Sequence, residues 1–150
     1  MEEAVDNGFV RALGVSNFSE AHLLKLFKTA RIKPSVNQIE VHPWLQRRDL
    51  CAFCTANGIV IEAYSPLAKA NQMTDPILLK LAADCKRSPA QILLSWSRSK
   101  GYVPLPKSVT PARQIENLTI VDVPQTILAA LDDLEGNLVT GWDPISNDPV

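Results

Sequence analysis

Apolar residues along this chain come in a repeating order: a short β-leaning run, then a stretch with helical spacing, four times over. The first run is Val10–Val15, and Leu23, Leu26, Phe27 and Ala30 then recur every three or four positions. Ser19 stands where an N-cap belongs, with Glu20 in the first turn. The second run is Ser35–Val41, followed by a helix whose Leu50, Phe53 and Cys54 share a face and whose stop is Gly58. The third is Ile59–Tyr64, followed by a polar loop and the helical pattern DPILLKLAADCKR. The fourth is Tyr102–Leu105, with a helix starting at Thr110–Pro111. An extra helix enters at Ser88-Pro89-Ala90-Gln91, with Ser as N-cap, Pro at the first helical position and Gln as capping-box partner. Ile92, Leu93 and Trp96 form its apolar face. A last helix spans Gln125–Leu134 with Ile127, Leu128, Leu131 and Leu134 inward, and Gly136–Val150 is polar and turn-rich.

Strands that alternate with helices pair in parallel, because each crossover returns the chain in the same direction. Two architectures satisfy this pattern. A doubly wound sheet is one, but its G-x-G-x-x-G fingerprint is absent from a chain with 6 glycines. The other is a (β/α)₈ barrel, which takes about 250 residues. The chain has 150, a number that also suits one ordinary domain with a core of its own.

Composition narrows the class. Hydrophobic residues make up 46% and charged residues 21%, the proportions of a globular protein. A formal net charge of −1 gives no reason to expect nucleic acid or an anionic membrane as partner. No apolar run approaches the roughly 18 residues of a membrane span, and the acidic start MEEAVDNGFVR lacks a signal-peptide layout. The 3 cysteines, without framework spacing, fit reduced thiols in the cytoplasm.

The chemistry concentrates in LPKSVTPARQIEN, residues 105–117. Lys107 offers a point charge and Arg113 a planar fork suited to phosphate oxygens. Ser108 and Thr110 add hydroxyls beside a helix start, whose free N–H groups and dipole favour an anion. The same residues also compose an ordinary solvated helix start. Ser16, Asn17 and Gln38 lie at the C-terminal ends of the first two strands, where amides and hydroxyls can hold a carboxamide or simply make turns. Tyr64 ends the third strand and either covers the core or offers a stacking face. Cys51 and Cys54 form a C-x-x-C inside a helical pattern on its apolar side, and read as buried, inert thiols. His22 and His42 lack ligand spacing, so no metal site is assigned. Ser16 has no nucleophile-elbow context. His42-Pro43-Trp44 suits either an active-site mouth or strand-end packing.

GVSNFS (14–19), VNQIEVHP (36–43), EAYSPL (62–67) and LPKSVTPARQIENL (105–118), in this order and spacing, resemble the second half of the aldo-keto reductases. The resemblance implies half of a (β/α)₈ TIM barrel, strands five to eight with their helices. Residues 1–150 would then be the C-terminal half of an aldo-keto reductase domain. It implies an NADP(H)-dependent oxidoreductase that reduces aldehydes or ketones by hydride transfer. The family's Asp, Tyr, Lys and His tetrad would lie in the half not present, so no catalytic residue is assigned; neither Tyr64 nor Tyr102 stands in the catalytic context.

By resemblance, Lys107, Ser108, Val109, Arg113, Glu116 and Asn117 bind the 2′-phosphate and adenine end of NADP(H). Tyr64 stacks on the nicotinamide, Ser65 and Leu67 touch the pyrophosphate region, and Ser16, Asn17 and Gln38 hold the carboxamide. Trp142 is a candidate wall for an apolar group of a small carbonyl substrate. The full-length form is expected to be a monomer or weak dimer. A half-barrel with bare edges is expected to self-associate and to lack carbonyl reduction alone. The alternative is a catalytically silent nucleotide-binding or interaction module.

Overall fold

The computed structural model describes residues 1–119 and 121–147. Four strands, β1 (Gly14–Ser16), β2 (Val36–Glu40), β3 (Val60–Tyr64) and β4 (Val103–Leu105), form one sheet in the order β1-β2-β3-β4. β1 and β2 are parallel, with Gly14 opposite Val36 and Ser16 opposite Gln38. Among the described residues, eight α-helices accompany them: α1 (Glu2–Asp6), α2 (Glu20–Phe27), α3 (Arg48–Ala56), α4 (Pro76–Asp84), α5 (Pro89–Ser99), α6 (Pro111–Leu118), α7 (Gln125–Asp132) and α8 (Pro144–Asn147).

The helix boundaries follow local chemistry. Ser19 caps α2 by accepting from the His22 amide, and His22 Nδ1 accepts in return from the Ser19 amide at 3.2 Å. The capping box of α5 forms as the sequence predicts: Ser88 Oγ accepts from the Gln91 amide, and Gln91 Oε1 from the Ser88 amide, both at 3.2 Å. Asp75 caps α4, accepting from the amides of Ile77 and Leu78. Gly58 follows α3 at φ +72°, the left-handed conformation that a helix stop requires.

Two compact units divide the chain: residues 1–39, 47–62 and 142–150, and residues 40–46 and 63–141. In the first, α2 packs on α3, and Leu23, Ile39, Leu50, Cys54 and Ile61 are buried. In the second, α5 is the hub, touching α4, α6, α7 and β4. Its Ile92, Leu93 and Trp96 are 1% exposed or less. β2 and β3 each contribute residues to both units.

Two expectations are corrected. The first strand is Gly14–Ser16, not Val10–Val15. Val10 is 40% exposed, and apolar residues without burial do not hold a strand together. The sheet is open, with β1 and β4 as its ends. Free ends are part of the half-barrel expectation, so what changes is the assignment: the architecture is a parallel α/β sheet of four strands, not strands five to eight of a C-terminal half-barrel.

Candidate functional site

In the second unit, a cavity of about 690 Å³ brings together two stretches far apart in sequence. Ser65 and Leu67 come from the loop after β3, and Lys107, Ser108, Arg113, Glu116 and Asn117 from the β4–α6 connection and α6. Seven of the expected cofactor positions therefore line one space. Its size lies within the range of small-molecule sites. Leu105, Pro106, Met73 and Pro89 supply apolar walls.

The approach to α6 is built by its own polar groups. Ser108 Oγ accepts from the Thr110 amide at 3.1 Å, and the Gln114 side-chain amide donates to the Ser108 carbonyl at 2.8 Å. Thr110 occupies the N-cap position, but its side chain makes no capping bond. The amides at the start of α6 therefore keep donor capacity. Among the described residues, neither Lys107 nor Arg113 forms an ion pair. Two exposed cations on one cavity wall, beside a helix N-terminus, can hold a phosphoryl group.

The first unit carries a smaller cavity of about 420 Å³, lined by Ser16, Gln38 and Glu62 among others. Ser16 Oγ and the Asn17 amide both donate to the Gln38 carbonyl at 3.0 Å. The Gln38 side-chain amide donates to Glu62 Oε2 at 2.9 Å. With its NH₂ anchored, Gln38 turns its oxygen into the available acceptor. Asn17 holds φ at +59°, a left-handed conformation asparagine tolerates.

Other expected positions lie apart from the cavity walls. Val109 is 77% exposed and Trp142 66% exposed, and neither lines a cavity described above. Tyr64 is half-buried at the end of β3 and is likewise not among the lining residues. His42 is fully buried, so strand-end packing is its role rather than lining a mouth. Cys51 and Cys54 are buried free thiols, as expected. Burial pushes the Cys54 thiol up, only partly offset by a hydrogen bond from Asn37.

Three groups escaped the sequence reading. Glu62 sits two residues before Tyr64 and so on the same strand face; that spacing was the available signal. Lys69 lines the large cavity, yet it is a lone cation in a neutral loop and nothing local marks it. Glu40 and Thr140 form a part-buried hydrogen bond across 100 residues, which no local pattern encodes.

The sequence model of the Aldo/keto reductase family matches residues 1–134. The chain belongs to that family. It is 48% identical over 131 residues to the glycerol 2-dehydrogenase (NADP(+)) of Hypocrea jecorina, across 82% of this chain and 41% of that protein. It is 42% identical over 122 residues to the glyoxal reductase of Bacillus subtilis, across 81% of this chain and 44% of that protein. A solved aldo-keto reductase complexed with NADPH superimposes at a TM-score of 0.86 with 31% identity, covering 99% of this chain and 51% of its own. The chain thus spans less than half the length of these two curated relatives.

The match also completes the correction to the fold. It begins at residue 1 and ends at 134, so it lies on the N-terminal part of the chain and leaves the last residues unmatched. It gives no ground for counting these strands as five to eight of a C-terminal half-barrel. Each strand–loop–helix unit announces itself locally, whereas a strand's ordinal in a larger protein is not a local property. Among the described residues, no helix is long and apolar enough to cross a membrane.

Proposed function

We propose that this chain contributes cofactor binding to an NADP(H)-dependent oxidoreductase that reduces aldehydes or ketones to alcohols by hydride transfer. One observation carries the reading: Lys107 and Arg113, without carboxylate partners among the described residues, share a cavity wall with Ser65, Leu67, Ser108, Glu116 and Asn117. A 2′-phosphate supplies the counter-charge that an unphosphorylated ribose lacks. Glu116 and Asn117 then face the adenine end, and Val109 adds its backbone. The Gln38 acceptor of the first unit, with Ser16 and Asn17, suits a nicotinamide carboxamide, and Tyr64, a residue of the second unit, offers a ring for stacking. Trp142 is proposed as an apolar substrate wall. The free thiols are consistent with a cytoplasmic location.

No residue here is assigned to protonate a developing alkoxide, a contribution worth about 10²–10⁴-fold in rate. On this reading the chain supplies the nucleotide site, and carbonyl reduction by the chain alone is expected to be absent. The test is fluorescence titration of the 150-residue chain with NADPH and with NADH. The Lys107→Met/Arg113→Met double variant is expected to lose the preference for NADPH by roughly 100-fold or more, since two charge-assisted hydrogen bonds contribute about 1.5–3 kcal/mol each. An unchanged ratio would show that the anion site is elsewhere.

A further inference from the structure

Lys69 is a third cation on the wall that holds Lys107 and Arg113. It sits in the turn Ala68–Ala70, where three successive non-glycine residues have φ of +47°, +50° and +65°. L-residues seldom keep that conformation in series; backbone bonds from the Ala68 amide to the Ser65 carbonyl and from the Ala70 amide to the Leu67 carbonyl, both at 2.8 Å, close the turn. Lys69 Nζ donates to the Thr140 carbonyl at 3.3 Å.

Thr140 belongs to a strap, residues 135–140, sewn along the loop 40–46. Glu135 accepts from the Gln46 amide at 2.7 Å. The Gly136 and Leu138 amides both donate to the Trp44 carbonyl, at 3.2 and 2.9 Å. The Thr140 amide donates to Glu40 Oε1 at 3.1 Å, and the Thr140 hydroxyl to the same oxygen. Glu40 is itself 2% exposed and shares a hydrogen bond with His42 Nε2. The strap is thus fixed on one side by a buried carboxylate, and on the other by one ammonium that also faces the cavity.

An ammonium carries three donor hydrogens. One reaches Thr140; the others are directed by whatever shares the cavity. A phosphate oxygen is a stronger acceptor than a neutral carbonyl. We propose that Lys69 is a positioning residue whose ammonium is competed for by the Thr140 carbonyl and the phosphate groups of a ligand held by Lys107 and Arg113, coupling cavity occupancy to the order of the strap. This rests on the reading that the cavity takes the phosphorylated end of NADP(H). A bound phosphate draws the ammonium away from Thr140 and loosens the strap. By reciprocity, fixing the strap changes the ligand's affinity by the same factor.

The experiment is amide hydrogen exchange across residues 136–140 of the full chain, with and without saturating NADPH, alongside NADPH titration. NADPH is expected to speed exchange about threefold or more in the parent chain. Lys69→Met should show the faster exchange without ligand, no response to ligand, and about tenfold weaker NADPH binding. Lys69→Arg, which keeps charge and donors, should restore both response and affinity. Equal exchange in the parent and Lys69→Met, or an equal ligand response in both, overturns the coupling. If NADPH still binds more tightly than NADH in that case, the cavity assignment survives and only the role of Lys69 falls. If the parent chain binds no NADPH, both fall together.

Discussion

Glu40 shows how much one side chain can hold. Its burial raises the carboxyl pKa, but hydrogen bonds from His42 and from the Thr140 side chain and backbone, with the His42 charge, outweigh this and keep it below the ordinary 4.5. A carboxyl whose folded pKa is depressed adds stability above its unfolded pKa and loses it as pH falls through the folded value. Stability should therefore drop below about pH 4.5, as Glu40 takes up its proton. Asp143 acts in the same direction: burial raises its pKa, and Ser146, Arg47 and the Ile145 amide lower it further than that. Glu40→Gln is expected to cost about 1–3 kcal/mol at neutral pH, because His42 and Thr140 lose a charged partner. Its urea midpoint should also vary less with pH between 7 and 3 than the parent's. Parallel pH profiles would assign the acid sensitivity to other groups.

Among elements, α5 decides the second unit. Trp96 is 1% exposed and its Nε1 donates to Asp132 at 2.7 Å. Lys100 donates to the other oxygen of Asp132 at 2.7 Å and lies 5.7 Å from the centre of the Trp96 ring. One carboxylate at the end of α7 thus gathers one donor from α5 and one from the residue that caps the C-terminus of α5. Trp96→Phe should cost about 1.5–3 kcal/mol by leaving Asp132 short of a donor, plus the loss of packed ring area. Equilibrium urea unfolding measures it; a change under 0.5 kcal/mol would mean that the joint is solvated. The apolar face of α5 and its capping box were legible, because Ser88-Pro89-Ala90-Gln91 and Ile92-Leu93 act within a few residues. The joint itself was not, since Trp96 and Asp132 are 36 residues apart.

For the whole molecule, the sheet has β1 and β4 as ends. Their burial is slight: Val103 is 45% and Leu105 37% exposed, and Val60 on β3 is 44% exposed. Unpaired strand edges recruit other strands. The chain alone is expected to sediment as more than a monomer at micromolar concentration; a single monomeric species with one cooperative melt would contradict this.

The sequence by itself determined the βα repeat, the helix caps of α2 and α5, and the buried side of the C-x-x-C helix. Each is set by neighbours within one or two turns, where propensity and spacing act. Only the tertiary structure decided that Ser65 and Leu67 line the same cavity as Arg113, and that Lys69 and Glu40 bond to Thr140 from far along the chain. Those contacts are set by how distant segments pack, and no residue carries a local mark of a partner that folding brings to it.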